Sequence, residues 1–259
     1  MAPPNDSISI ESIGLSLKAS IVPWDTEIFQ YPVAQIDRIN ISDQKLFAKE
    51  YRRFESWRDA NNLGLISCRL GHNQLRETML LEENEFRFIE MVLHPKLESL
   101  DELDIPHQCL EVIPADQHDL CAIRIIAESA FNNERFHVDP RLDPHCANLR
   151  YGRWISNSLE HPRQRLLKII DDGKLVGFFI VELKEDRSVY WHLTAVSPQY
   201  QGKGYGRMTW LAMLQYHQQN GQTSVSTTIS ARNTVVLNLY SSLDFRFLPP
   251  EMTFHWVRK

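Results

Sequence analysis

Three of the ten glycines of this chain lie within five residues, at Gly202, Gly204 and Gly206. They separate a predicted strand that ends at Val196 from a predicted helix that begins near Met208. Glycine lets the main chain bend freely and lets a ligand approach without a Cβ atom in the way. A helix N-terminus adds unpaired amide hydrogens and partial positive charge. The spacing therefore predicts an anion site suited to a pyrophosphate.

The loop fits neither of two common phosphate-binding patterns. A P-loop requires G-x-x-x-x-G-K-[ST], and Lys203 lacks that context. A dinucleotide-binding fold requires G-x-G-x-x-G early in a parallel βαβ unit, whereas this chain has G-x-G-x-G late in its length. A glycine-rich turn that only permits close packing is the alternative. The order of strand, proline, basic residue and helix favours a ligand site.

The same loop resembles motif A of the GNAT superfamily of N-acetyltransferases, [QR]-x-x-G-x-[GA], which Gln201, Gly204 and Gly206 match. The resemblance implies that acetyl-CoA is the co-substrate. Its pyrophosphate would lie on the main-chain amides of the loop, and its pantetheine arm would pair with the strand end. The cofactor-binding residues that the resemblance implies are Leu193, Ala195, Val196, Gln201, Gly202, Lys203, Gly204, Tyr205, Gly206, Arg207, Asn233 and Asn238.

A second segment, which begins at Asn233, resembles the family motif N-x(6)-Y-x-x-x-G-F, with Tyr240 at the matching distance. Asp244 stands where the family usually has Gly, and Asp can take the left-handed backbone conformation. The resemblance implies that Tyr240 is the general acid for the leaving thiolate. A phenol with a reference pKa near ~10 stays protonated at neutral pH. A tyrosine that only packs on its helix is the alternative.

Acetyl transfer to an amine requires a neutral amine, a polarised thioester carbonyl and a hydrogen-bond donor for the leaving sulfur. His192, on the strand before the glycine loop, is the candidate base, because a reference pKa near ~6.5 suits proton removal at neutral pH. A half-buried strand histidine without a catalytic role is one alternative. An amine that loses its proton to water is the other.

The charged run Arg135–Arg141 resembles the R-F-H-x-D-P-R segment of dTDP-fucosamine acetyltransferase-like enzymes. Pro23–Phe29 resembles the W-[DE]-[ST]-x-F-F opening of the same enzymes. Arg suits a diphosphate, and Asp suits an amine or a sugar hydroxyl. The resemblance implies a nucleotide-linked amino sugar as acceptor, whereas a solvated loop is the alternative. The candidate metal ligands between His137 and Cys146 do not follow the spacing of a common zinc motif, so no metal is expected. The predicted substrate-binding residues are Arg135, His137, Asp139 and Arg141.

The composition bounds the class of protein. A net charge of −5 argues against bulk nucleic-acid binding, which requires a basic field. No apolar run approaches the ~20 residues of a membrane span. No basic segment followed by an apolar one is visible at the N-terminus, and the four cysteines form no C-x-x-C pair. A cytoplasmic protein that does not associate with membranes is therefore expected.

Aromatic residues that recur at three- and four-residue spacings predict a helix over residues 43–62. Further helices are predicted over 115–131, with Asp116 as a possible N-cap, and over 234–243. Asp171-Asp172-Gly173 predicts a hairpin turn between two strands.

Strands and helices that alternate predict an α/β or mixed α+β sheet. Residues 1–20 are expected to be partly disordered, 21–105 to form a smaller α/β domain and 108–259 to form the acetyltransferase domain. The run 84–91 resembles 243–252, which indicates that the first domain is a partial copy of the second, with chance similarity as the alternative. The first domain would close the acceptor pocket, pair in a homodimer or extend the sheet.

These features together predict an acetyl-CoA-dependent N-acetyltransferase that acts on a primary amine of a small molecule. Transfer to a peptide, an amino acid or a drug-like amine is the alternative reaction. From another class of protein, the alternative is a sensor that binds acyl-CoA without catalysis.

Overall fold

The computed structural model describes residues 6–259, apart from the side chains of residues 44 and 45. The chain forms two compact units. The first comprises the chain up to Val92, with Val138–Leu142 and Pro249–Lys259; the second comprises Leu93–His137 and Asp143–Leu248. The predicted boundary between 105 and 108 differs from this division, because two later segments of the chain return to the first unit.

The strands of the first unit are β1 (Ser7–Glu11), β2 (Leu15–Ile21), β3 (Val33–Ile41), β4 (Leu65–Gly71), the first part of β5 (Arg87–Leu97) and the last part of β12 (Arg246–Val257). Its helices are α1 (Pro23–Phe29), α2 (Gln44–Ala60) and α3 (Leu75–Glu83). Strand β2 pairs antiparallel with β1 and β3, β3 pairs in parallel with β4, and β4 pairs antiparallel with β12.

The core of the first unit explains where its elements form. The aromatic residues of α2 recur at four- and three-residue spacings and are buried, which confirms the helix predicted there; they are Phe47, Tyr51, Phe54 and Trp57. The prediction of disorder is wrong for residues 7–20, which form β1 and most of β2. Leu15 and Leu17 alternate along β2 and are fully buried, so this segment contributes to the core. Residues 1–5 of that prediction lie outside the described residues.

The strands of the second unit are the last part of β5, β6 (Glu111–Pro114), β7 (Gln164–Asp171), β8 (Lys174–Leu183), β9 (Ser188–Val196), β10 (Ser224–Thr227) and the short β11 (Ile229–Ser230). Its helices are α4 (Leu120–Ala130), α5 (Arg135–Val138), α6 (Pro144–Ser158), α7 (Tyr205–Gln219) and α8 (Thr234–Ser242). The strand order is β5-β10-β9-β8-β7-β6, and β9–β10 is the parallel pair.

Helices cover both faces of this second sheet. The helices α4 and α6 pack on one face, and α7 and α8 pack on the other. The predicted turn between β7 and β8 is confirmed, since Asp172 and Gly173 both have positive φ, as a tight hairpin requires. The helix predicted from residue 115 with Asp116 as N-cap begins instead at Leu120, because the Asp119 carboxylate accepts the Asp116 N–H and closes a turn. None of the described helices combines the length and apolar character needed to cross a bilayer.

Candidate active site

Strand β9 loses one of its two neighbours halfway along its length. Its first part pairs in parallel with β10, and the last such pair is Trp191 with Thr227. On the other edge β9 stays paired with β8, but the register shifts at His192, which has no opposite residue there. His192 is therefore the extra residue of a β-bulge. From His192 to Val196, β9 has an open edge on the side that β10 leaves.

The alternation of main-chain groups decides what this open edge offers a ligand. The Ser197 N–H donates to a carbonyl of β8 at 2.8 Å. Residues two and four positions earlier, Ala195 and Leu193, therefore also direct their main-chain groups to β8. Their side chains lie in the core beneath α4 and α6. The main-chain groups of Thr194 and Val196 face the open edge.

The glycine loop follows directly after this edge. Gly202 (φ +71°) and Gly204 (φ +86°) have left-handed backbone conformations, and a Cβ atom at either would meet nothing within 4 Å. At Gly206 a Cβ atom would touch only the Leu239 side chain, at 3.9 Å. Helix α7 begins at Tyr205, three residues earlier than predicted, so Gly206 lies in the first helical turn. The amides of that turn have no intrahelical partner and border open space, which suits a diphosphate.

Most side chains of this loop hold the loop itself. Gln201 Nε2 donates to the last carbonyl of β9 at 2.9 Å, and Lys203 Nζ donates to a loop carbonyl at 2.8 Å. The Tyr205 hydroxyl donates to Asp171 Oδ2 at 2.6 Å, and this hydrogen bond raises the pKa of Tyr205. Arg207 donates to the end of α8 at 2.9 Å. The main chain, rather than these side chains, is the surface left for an anion.

Helix α8 is closed at both ends by residues of the second motif. Asn233 Oδ1 accepts the Val236 N–H at 3.3 Å and caps the N-terminus. Asp244 takes φ +60° after the C-terminus, which confirms the prediction that Asp can replace Gly there. Asn238 is exposed on the helix surface. The predicted role of Asn233 in cofactor binding thus coexists with a structural role as helix cap.

Tyr240 projects from α8 into the interior, and its side chain is only 2% exposed. Burial raises the pKa of Tyr240 to about 12, although the nearby polar side chains of Trp210, Thr227 and Thr194 oppose the rise. Thr227 belongs to the last parallel pair of β9 and β10, and Thr194 lies on the open edge. The phenol therefore lies where the two strands part, and it stays protonated at neutral pH.

His192 forms a pair with Glu182, the Nε2 and Oε2 atoms being 2.9 Å apart. Burial lowers the pKa of His192, and the Glu182 carboxylate opposes this effect. In return the hydrogen bond from His192 lowers the pKa of Glu182. The rings of Trp154 and Tyr190 flank the imidazole, with centroids 6.0 and 4.8 Å away. A neutral imidazole oriented by a carboxylate is the arrangement of a general base.

The sequence prediction did not include Glu182. Glu182 pairs with Tyr190 across the hairpin of β8 and β9, and this pairing can be found by counting residues along both strands away from the polar turn that joins them. That count alone does not reveal the bulge, which brings His192 to the same carboxylate.

The structure divides the four predicted substrate-binding residues between the two units. In the first unit the buried Asp139 carboxylate accepts two hydrogen bonds from the Arg141 guanidinium, at 2.8 and 2.9 Å, and lies 2.9 Å from His255 Nδ1. Burial alone would raise the pKa of Asp139, but the hydrogen bonds from His255 and Arg141 hold it well below its usual range. This carboxylate is committed to protein partners.

The other two predicted residues lie in the second unit. His137 Nε2 is 2.8 Å from Asn148 Oδ1, and the Arg135 guanidinium lies 4.6 Å from the Phe136 ring centroid. Asp143, from the same stretch, accepts the His145 N–H at 2.9 Å as the N-cap of α6. Among residues 6–259 no group of three His, Cys, Asp or Glu side chains has the arrangement of a metal site.

Comparison with known proteins assigns this fold to a class. Residues 126–245 match the model of the Acetyltransferase (GNAT) family. This match indicates a GNAT acetyltransferase fold for that stretch of the chain, and proteins of the matched family use acetyl-CoA as their co-substrate. No curated protein matches the sequence.

Solved structures share the fold over nearly the whole chain. A GCN5-related N-acetyltransferase from Sphaerobacter thermophilus has 12% identity and a TM-score of 0.65, covering 95% of this chain and 81% of its own. A functionally unknown conserved protein from Staphylococcus epidermidis has 11% identity and a TM-score of 0.68, covering 98% and 95%. A tandem GNAT protein from the clavulanic acid biosynthesis pathway has 12% identity and a TM-score of 0.62, covering 98% and 84%. At these identities the likeness concerns the fold alone.

Proposed function

We propose that this protein is an acetyl-CoA-dependent N-acetyltransferase that transfers an acetyl group to a primary amine of a small molecule. The observation that carries the proposal is the open edge of β9, which leads directly into the glycine loop and has the Tyr240 phenol beside it. A GNAT match over residues 126–245 supports the same assignment.

The main chain supplies most of the binding groups. Amides of residues 202–207 would hold the diphosphate, and the open-edge groups of Thr194 together with the Val196 N–H would pair with the pantetheine amides as an added strand does. Acetyl-CoA supplies the acyl group and the thiol that leaves. The open-edge N–H groups are also the donors available to polarise the thioester carbonyl.

His192 removes the proton of the attacking amine in this proposal. Its Nε2–H donates to Glu182, which leaves the lone pair of Nδ1 as the basic site. The new C–N bond forms as the C–S bond breaks, and the amine proton passes to Nδ1. Because burial keeps the pKa of His192 below its usual value, the imidazole is neutral and ready to accept this proton at pH 7.

Tyr240 donates a hydrogen bond to the departing sulfur. Full proton transfer from a phenol with a pKa of about 12 to the thiolate of an ordinary thiol, whose pKa is about 8.5, is uphill by roughly 5 kcal/mol. A hydrogen bond that strengthens as charge develops on sulfur avoids this cost. The thiolate then takes its proton from solvent or from His192.

The reaction is tested by mixing the protein with acetyl-CoA and a panel of amines, with free thiol and a mass gain of one acetyl group as readouts. The panel contains a nucleotide-linked amino sugar, a simple amino sugar, an amino acid, a peptide and a drug-like amine. Binding of acetyl-CoA without consumption of any amine would identify a sensor. Absence of binding would refute the proposal. The cytoplasmic location and the homodimer stay predictions.

Tyr240→Phe separates chemistry from binding. Loss of one hydrogen bond to a charged group, about 1.5–3 kcal/mol, should lower kcat roughly 10- to 150-fold. The Kd of acetyl-CoA should stay within about twofold. The matched control is Tyr216→Phe, on α7, which should leave both quantities unchanged. A fall in kcat no larger than that of the control would show that Tyr240 only packs.

A further inference from the structure

We propose that the first unit contains a second copy of this cleft and that its own side chains close it, so that each chain binds one acetyl-CoA. The identity of the ligand rests on the proposed function, whereas the closure rests on the geometry of the first unit alone. Three correspondences establish the copy, and three hydrogen bonds establish the closure.

Strands β3 and β9 correspond residue by residue, and each has nine residues. In β3 the last parallel pair with β4 is Ile36 with Cys68, and the register against β2 shifts at Asp37. In β9 the last parallel residue is Trp191, and the bulge follows at His192. Asp37 therefore corresponds to His192, and the first unit has a bulge where the second has its candidate base.

The strand ends correspond as well. The Ser42 N–H donates to the carbonyl of Gly14, the residue directly before β2, at 3.2 Å, as the Ser197 N–H donates to a carbonyl of β8 at 2.8 Å. The same alternation therefore places the main-chain groups of Ile39 and Ile41 on the edge that faces away from β2. These two residues occupy the positions of Thr194 and Val196 on the open edge of β9.

Helices α3 and α8 form the third correspondence, with nine residues each. Each is followed by an acidic residue with positive φ, Glu85 at +66° and Asp244 at +60°. A buried phenylalanine comes next in each unit. The Phe86 N–H donates to the Leu81 carbonyl at 2.9 Å, and the Phe245 N–H donates to the Tyr240 carbonyl at 3.1 Å. Leu81 thus stands in the place of the phenol.

Side chains from the start of α3 occupy the open edge of β3. Glu77 Oε1 accepts the Ile41 N–H at 2.9 Å, and Arg76 Nη1 donates to the Ile41 carbonyl at 3.0 Å. Gln74 Nε2 donates to the Ile39 carbonyl at 3.2 Å. Glu77 is only 8% exposed. The Ile41 N–H and the Ile39 carbonyl are therefore already bonded here, whereas the second unit leaves their counterparts at Val196 and Thr194 for a pantetheine arm.

In the second unit Gln201 Nε2 bonds the Val196 carbonyl, but the start of α8 offers no comparable closure of the Val196 N–H and the Thr194 carbonyl. The corresponding positions of α8 carry Asn233, Val235 and Val236, and the valines have no polar atoms to bond a strand. The connection from strand to helix also differs, since the glycine loop spans 197–204, whereas Ser42 and Asp43 alone join β3 to α2. The first unit therefore lacks a diphosphate loop. Displacing Glu77 would also leave a buried carboxylate without its donor, which is unfavourable.

Hydrogen exchange tests the closure on the intact protein without any ligand. The Ile41 amide should exchange at least tenfold more slowly than the Val196 amide, because only the former is bonded to a buried carboxylate. Glu77→Gln keeps an acceptor oxygen and should preserve this protection, whereas Glu77→Ala should remove it. Equal exchange of the two amides in a folded wild-type protein would overturn the closure.

Titration calorimetry with acetyl-CoA tests the stoichiometry. We expect one site per chain, protection of the Val196 amide on binding, and no change at Ile41. Two sites per chain, or acetyl-CoA protection at Ile41, would overturn the inference. If the wild-type protein binds no acetyl-CoA, the proposed function fails, while the ligand-free exchange of Ile41 still decides the closure.

Discussion

The substitution Gly204→Ala tests whether the left-handed turn before α7 holds the diphosphate. Gly204 has φ +86°, and a Cβ atom there would meet no protein atom within 4 Å. The cost to folding is therefore the strain of a non-glycine residue in the left-handed region, about 1–2 kcal/mol. No steric term from a neighbouring residue adds to it.

Gly221 provides a matched control at the opposite end of the same helix. Its φ is +80°, and a Cβ atom there would also meet nothing within 4 Å. Gly221→Ala should therefore lower the free energy of unfolding by the same ~1–2 kcal/mol. The two variants differ only in whether the glycine borders the proposed anion site.

The expected effect on binding separates the two variants. The Cβ atom of Gly204→Ala would reorient one main-chain N–H or shield it from the diphosphate. The loss of that hydrogen bond to a charged group costs about 1.5–3 kcal/mol of binding free energy. The Kd of acetyl-CoA should rise roughly 10- to 150-fold in Gly204→Ala and should not change in Gly221→Ala. Urea denaturation measures the free energy of unfolding of each variant, and titration calorimetry measures its Kd for acetyl-CoA. Equal Kd values for the two variants would refute the assignment of the loop.

Three further outcomes are expected. Gly206→Ala should keep or raise the free energy of unfolding, because Ala is the better helix former by up to ~1 kcal/mol, yet weaken acetyl-CoA binding; a stable variant with unchanged Kd would count against ligand contact there. Because neutral His192 is the base, kcat/KM should fall at acid pH, and Glu182→Gln should move this acid limb to lower pH, since the carboxylate raises the pKa of His192; an unmoved limb would exclude His192. Burial lowers the pKa of His217 to about 4, so the unfolded chain takes up a proton that the folded protein excludes, and stability should fall by about 3 kcal/mol as pH drops from about 6.5 through 4; denaturation of His217→Gln should lose that part of the pH dependence, and an identical dependence would contradict the argument.

The sequence determined those features that depend on local conformation. Gly202 and Gly204 indicated a left-handed loop because only glycine adopts that backbone without strain, and both have positive φ in the structure. The sequence predicted a helix over residues 234–243 that carries Tyr240, and α8 forms there. The repeat of aromatic residues on α2 predicted a helix with a buried face. Each of these signals spans at most a few turns of chain.

The tertiary structure decided everything that depends on pairing between distant segments. The bulge at His192, the parting of β9 from β10 and the pairing of His192 with Glu182 are set by strand register, which no single strand specifies. The charged run from Arg135 to Arg141 looked continuous in sequence, but the fold commits Asp139 to partners within the first unit. Local sequence fixes backbone torsions and helix faces, whereas long-range packing selects the register and the partners of buried charges.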